Sequence, residues 1–264
     1  MVLAGNGEAF VPQAPHLLHQ MIQKINRPEG MVVHQIRNVM ETSVQGGAPK
    51  TIELDEKLAY AFPGKFRSEI VSGRVFRFYV ESNSQFVKVA DGKIVSQEKS
   101  PVDFYSDILL YRDYESLLQQ LDSVGVSTEQ VSFQRFDNKI CYFIGQPGQK
   151  ESAGLWIERE SLFPVRYVID KNGWTVSFRY ENWQQVSKTW YPMLITILVD
   201  NQLFARIEVR QFEISSEFPL SVFDVKGIHG MYPVGSVSKD EASGTLGKID
   251  ELDKQIENFR KLYE

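Results

Sequence analysis

Only one cysteine, Cys141, occurs in the 264 residues. A lone thiol excludes an internal disulfide and any zinc cluster built on cysteine. It lies in the extended apolar stretch 139–144, where a buried structural thiol is expected. Histidine is nearly as scarce, with four residues: His16, His19, His34 and His229. His16 and His19 stand three apart on a helical pattern, a spacing that suits a metal. No carboxylate pattern beside them completes a ligand set, so no metal is expected. His-Glu-x-x-His, Gly-x-Ser-x-Gly and phosphate-binding glycine loops are all missing. The carboxylate pairs Asp55-Glu56, Glu158/Glu160 and Asp250-Glu251 fall at turns, on wet strand faces or on the terminal helix. None has the apolar setting that a general acid requires, so neither catalysis nor a cofactor is expected. With a net charge of −5 and no basic run interleaved with aromatics, nucleic acid is not an expected partner. No apolar run is long enough to span a bilayer as a helix.

What the chain does have is alternation. Trp174, Val176, Phe178 and Tyr180 face one way, and Thr175, Ser177, Arg179 and Glu181 the other. Ala205, Ile207 and Val209 oppose Arg206, Glu208 and Arg210 in the same manner. A period of two with one dry and one wet face marks strands of an antiparallel sheet. Further extended segments fall at 31–44, 51–62, 65–71, 75–81, 85–89, 131–136, 139–144, 155–158, 163–169 and 190–197. Turn signals at Ser72-Gly73, Asn83-Ser84, Asp91-Gly92 and Asp137-Asn138 separate several of them. The fold class is therefore mainly β, with helices added.

Residues 1–13 form a loose lead. Leu17, Leu18, Met21, Ile22 and Ile25 then make one stripe of an amphipathic helix over 14–25. In the middle, Ser100 as N-cap, Pro101 at the first helical position and Asp103 as a capping-box acid predict a helix over 102–113. Phe104, Ile108 and Tyr111 would share its stripe, and a second helix is expected over 114–121. The main domain should thus span 14–225. Glycine, serine and proline then indicate a linker over 226–244. A charged amphipathic helix over 245–264 carries Ile249, Leu252, Ile256, Phe259 and Tyr263 at heptad positions. That stripe either packs on the sheet or binds a protein partner, with Ile249, Leu252, Ile256 and Phe259 as the candidate contacts.

A one-sided sheet needs a cover. The presumed dry faces carry Phe76, Phe78, Phe133, Trp174, Phe178, Tyr180, Met193 and Ile195, and the helices offer Leu17, Met21, Phe104 and Ile108 against them. Either these twelve side chains fill a core, or the helices act as a lid over an apolar cavity. An acyl chain entering such a cavity would gain about 0.8 kcal/mol per buried CH₂.

The order of helix, strands, helical insertion and further strands resembles the LolA/LolB superfamily of outer-membrane lipoprotein carriers. Local sequences are similar as well. Pro63-Gly64-Lys65-Phe66-Arg67 resembles the family's Pro-x-x-Phe-Arg, and Asp91-Gly92-Lys93 its Asp-Gly-Lys hairpin. Leu155-Trp156-Ile157-Glu158 with Phe163-Pro164-Val165-Arg166 resembles another hairpin. Trp190-Tyr191-Pro192 and Phe218-Pro219-Leu220-Ser221-Val222-Phe223 are similar too. The resemblance covers roughly residues 14–225. It implies a half-open, strongly curved antiparallel β-barrel of about 11 strands with short helices as lid; the C-terminal helix has no counterpart in the family's minimal carriers. It also implies a non-enzymatic periplasmic carrier of Gram-negative type that binds a lipid or an acylated lipoprotein. Met1-Val2-Leu3-Ala4-Gly5-Asn6-Gly7 resembles the end of a removed signal peptide. The family's carriers place an arginine directly before the Pro-x-x-Phe motif to help latch the lid, and here that position is Phe62. The alternative is an envelope sensor or interaction protein of the same fold, with a filled core.

Overall fold

The computed structural model describes residues 11–41, 50–72, 75–146, 152–171, 173–215 and 217–235. The expected lead, the connection at 45–49 and the terminal helix with Ile249, Leu252, Ile256 and Phe259 lie outside or almost wholly outside these residues.

Helix α1 (Ala14–Ile25) opens the described chain. Six strands follow: β1 (Gly30–Glu41), β2 (Lys50–Ala61), β3 (Lys65–Ser72), β4 (Val75–Ser82), β5 (Gln85–Ala90) and β6 (Lys93–Ser96). A short 3₁₀ segment (Pro101–Ser106), α2 (Asp107–Leu110) and α3 (Tyr114–Ser123) come next. Seven more strands complete the sheet: β7 (Val131–Phe136), β8 (Lys139–Gly145), β9 (Gly154–Glu158), β10 (Pro164–Lys171), β11 (Trp174–Val186), β12 (Thr189–Val199) and β13 (Gln202–Ile214). A second 3₁₀ turn (Leu220–Phe223) leads into α4 (Val225–Met231).

All thirteen strands form one antiparallel sheet in the order β6-β5-β4-β3-β2-β1-β13-β12-β11-β10-β9-β8-β7. The sheet is curved and does not close, giving a half-open barrel. Thirteen strands replace the expected eleven or so; four-residue β6 is too short to show a period of its own. Two-residue turns set much of the register. Asn83-Ser84, Asp91-Gly92, Asp137-Asn138 and Asp200-Asn201 each have both φ values between 44° and 76°, as the hairpin turn matching strand twist requires.

Two findings differ from the sequence pattern outside the sheet. The predicted helix over 102–113 is split into a 3₁₀ segment and the short α2, and the Asp103 carboxylate meets Arg37 rather than capping it. Ser100 makes no side-chain cap either. Helix α3 does have a cap, since the Asp113 carboxylate accepts from the Ser116 amide at 3.0 Å. In addition, the first part of the expected linker folds as α4. There Asp224 accepts from the Gly227 amide at 3.0 Å, and Ile228 is buried against the sheet.

The sheet is covered on both faces. On the inner face α1, the 3₁₀ segment, α2 and α3 pack against the strands in one large apolar core. On the outer face α4 and the second 3₁₀ turn cover a smaller cluster over β2–β6. A third cluster of Cys141, Phe143, Trp156, Val165 and Val168 sits on β8–β10. Cys141 is buried there, and that burial pushes its thiol up to about 11, which keeps it protonated and unreactive.

Candidate functional site

The inner core gathers seven of the proposed lipid contacts. Leu17 and Met21 come from α1, Phe104 from the 3₁₀ segment, Ile108 from α2, Phe178 and Tyr180 from β11, and Ile195 from β12. Phe178 and Ile195 are 0% exposed. Tyr180 donates its hydroxyl to the Tyr105 carbonyl at 2.9 Å, which ties the helical segment to β11. Trp174 and Met193 pack half-buried at the margin of this core. Residues 101–123 therefore fill the hollow of the half-barrel as a plug. Phe104, Ile108, Leu117 and Leu121 from this segment pack into one core with Phe178 and Ile195 of the sheet.

Three of the expected inner residues lie elsewhere. Phe78 is buried on the outer face, against Phe223, Val225 and Ile228. Phe76 is 39% exposed on that same face, with its ring 5.5 Å from Phe78. The reason is an inversion of the usual wet and dry sides of β4. Its inward residues are Arg77, Tyr79 and Glu81, while its apolar side faces α4. Phe133, on edge strand β7, is 37% exposed and leans on Tyr142 at 5.2 Å.

That inversion belongs to a feature the sequence pattern missed. A seam of polar side chains runs across the inner face of β1–β5 in the middle of apolar rows. Gln35 and Arg37 follow Met31 and Val33 on β1, Glu56 lies between Leu54 and Leu58 on β2, and Ser68 between Phe66 and Ile70 on β3. Glu56 accepts from Arg37 Nε and Nη2 at 3.0 Å each, from Gln35 Nε2 at 2.6 Å and from Ser68 Oγ at 2.5 Å. The plug adds Asp103, whose carboxylate meets Arg37 Nη1 at 3.1 Å and Arg77 Nη2 at 3.8 Å. The Tyr105 hydroxyl accepts from Arg37 Nη2 and Gln35 Nε2 at 3.2 Å each. Burial alone would push the Asp103 carboxyl up. Arg37, then Arg77 and Lys88, outweigh it and hold the group below its ordinary range.

A second knot fastens the other end of the plug. Lys99 reaches Asp107 at 2.5 Å and Glu81 at 2.7 Å, Gln120 donates to Asp107 at 2.7 Å, and the Tyr111 hydroxyl donates to Glu81. Burial pushes the Asp107 carboxyl up to about 6; Lys99 opposes the rise and Glu81 adds to it. Together the two knots set Arg37, Arg77, Lys88 and Lys99 against Glu56, Asp103, Glu81 and Asp107, a balance of charge that lets them stay buried. Asp103 Oδ2, Arg77 Nε, Tyr79 Oη and Gln35 Oε1 are nevertheless buried without a hydrogen-bond partner among the described residues. Such groups gain on meeting water, which lowers the cost of wetting the seam.

A third fastening involves Phe62. The buried Arg112, just past α2, donates to the carbonyls of Leu109 at 2.8 Å, Asn26 at 2.7 Å and Trp190 at 3.4 Å. Its guanidinium lies 5.1 Å from the centre of the Phe62 ring. The cation thus comes from the plug, and the aromatic from the turn between β2 and β3. Burial without a carboxylate partner pushes Arg112 down to about 10. Away from the plug, His19 stacks on Tyr114 at 4.3 Å, and no metal-ligating cluster forms among the described residues.

The chain superposes on solved structures along most of their length. A domain of an outer membrane lipoprotein-sorting protein from Vibrio parahaemolyticus superposes with a TM-score of 0.54 at 9% identity, covering 81% of this chain and 97% of that one. At that identity the likeness is one of fold. A LolA superfamily protein from Nitrosomonas europaea gives 0.52 at 10% identity, covering 82% and 100%. A DUF1329 family protein from Desulfovibrio piger gives 0.52 at 13%, covering 81% and 97%. No protein-family model and no curated protein matches the sequence. Among the described residues, no helix is long and apolar enough to cross a membrane.

Proposed function

We propose that the protein is a non-enzymatic periplasmic carrier of acyl chains, from lipid or acylated lipoprotein, and that the plugged form is its closed state. The observation that carries this reading is how the plug is held. Residues 101–123 lie on the apolar inner face through ionic knots and carbonyl contacts as well as through Phe104, Ile108 and Leu117. Swinging the plug out would bare Phe178, Tyr180, Ile195 and Met193 together. The charged seam would be re-solvated at the same time, which offsets part of the cost of opening.

The magnitudes allow it. A chain of fourteen methylenes buried from water contributes about 11 kcal/mol, at about 0.8 kcal/mol each. That is comparable with the whole stability of a typical domain, about 5–15 kcal/mol. Transfer from a bilayer gains far less, because the chain is already dry. Direction of transfer would then follow the relative affinities of donor, carrier and acceptor, with no nucleotide site needed.

The filled inner core favours a second reading, in which the protein is an envelope interaction protein that never opens. Dibromostearate separates the two by quenching nearby tryptophans, since Trp174, Trp183 and Trp190 border the inner core. The carrier reading expects quenching in the wild type and stronger quenching in Asp103→Asn, where the plug is loosened. No quenching of these tryptophans in either protein leaves the interaction reading.

A further inference from the structure

The outer face holds a cavity that the carrier reading does not use. It measures about 630 Å³ and lies between β1–β4 and the covering segment 215–232. This falls in the range of about 300–1,000 Å³ usual for small-molecule sites. Phe78, Phe218, Ile228 and Tyr232 are among its apolar walls, with Tyr232 and Phe78 in edge contact at 5.6 Å. Met231 stands 67% exposed beside it.

Charge at the cavity is arranged unevenly. Arg67 lies 4.2 Å from the centre of the Phe78 ring, gives Nε to Glu69 at 2.6 Å and gives Nη1 to the Val222 carbonyl at 3.2 Å. Its Nη2 has no acceptor among the described residues. Lys57 on β2, whose register partner on β3 is Glu69, forms no ion pair among the described residues. Glu69 is occupied by Arg67, and Glu217 is the other carboxylate in the lining. We infer that this outer cavity is a preformed site for a single-chain monoanionic amphiphile, a long-chain fatty carboxylate. The head accepts from Arg67 Nη2 and Lys57 Nζ. The tail lies along Phe78, Tyr232, Ile228 and Met231. Glu217 disfavours a dianionic head such as a phosphate monoester. Because this site and the inner core are on opposite faces of the sheet, occupancy does not require the plug to move.

Tyr232→Trp places a reporter in the cavity, whose lining contains no tryptophan. Dibromostearate titrated into this full-length variant is expected to quench the added emission saturably. Lys57→Glu, at an exposed position, should weaken that quenching about tenfold, a change of about 1.4 kcal/mol. It should leave quenching by dibromostearyl alcohol unchanged. Met231→Glu should weaken both probes by placing a charge beside the tail. Quenching of the introduced reporter with Trp174, Trp183 and Trp190 unaffected supports this site and, where Asp103→Asn leaves those three unquenched as well, removes the inner carrier. Quenching of the three native tryptophans alone overturns the outer site and leaves the carrier reading standing. Equal loss of acid and alcohol in Lys57→Glu overturns the head-group assignment.

Discussion

Replacing Arg37 by methionine tests whether the buried seam governs the plug. Arg37 is 2% exposed and serves Glu56 on β2 and Asp103 on the plug at once. Methionine fills most of its volume but leaves both carboxylates without their main counter-charge. Breaking a buried ion pair from one side costs about 3–5 kcal/mol. For a domain of this size, each kcal/mol lowers the melting temperature by about 2–4 °C, so a drop of about 6–20 °C is expected. The triple variant Arg37→Met, Glu56→Gln, Asp103→Asn removes the charges together and should recover a large part of the loss. Thermal and urea unfolding followed by circular dichroism would measure both variants. Hydrogen exchange over 101–123 would show whether Arg37→Met frees the plug before the strands open. A loss below about 1 kcal/mol, the scale of an exposed pair, or a triple variant no better than the single one, would refute the reasoning.

Asp107 adds a pH dependence. Its carboxyl is raised to about 6 in the folded chain against an ordinary value of 3.8. The folded state therefore binds the proton more tightly, and Asp107 favours the folded plug most below about pH 4. That contribution fades as pH rises through about 6. Protection of the 107–121 amides should be greater at about pH 5 than at about pH 7.5, and Asp107→Asn should flatten the difference; an unchanged slope in the variant counts against this assignment. Gly30→Ala should be severely destabilising in urea unfolding. Its new Cβ would stand 2.4 Å from the Ser215 carbonyl oxygen and 2.9 Å from that of Tyr60, both of them backbone. Asp113→Ala removes the cap of α3 and should cost about 1 kcal/mol by the same measurement, without disturbing the sheet.

Much of the fold was legible because its rules are local. Alternation on β11 and β13 and paired turn residues such as Asp137-Asn138 marked strands and hairpins without any tertiary information. The candidate site was legible only in part. Phe178, Ile195, Leu17 and Ile108 came together as expected, since each sits on the apolar stripe of its element. Phe78 did not, because β4 is apolar on one side and aromatic-plus-charged on the other, and the rule that charge faces water chooses the wrong side. The buried seam shows the same limit on a larger scale. One polar residue in an apolar row, such as Glu56 between Leu54 and Leu58, reads as noise until registry sets it beside Gln35 and near Ser68. Asp103 read as a helix cap because capping needs only three residues of context, whereas its partner Arg37 lies 66 positions away.

The strand order carries a consequence for how the chain acquires its shape. Five of the ladders run β1 to β6 and six run β7 to β13, every one between strands that follow each other in sequence. Only β1 with β13 joins the two runs, pairing for example Val33 with Phe212. Each run can zip up from hairpins on its own, while the joining ladder must wait for both ends of a long loop to meet. That late seam, with residues 101–123 threaded between the finished runs, makes assembly resemble two hands clasping around an object already in the palm.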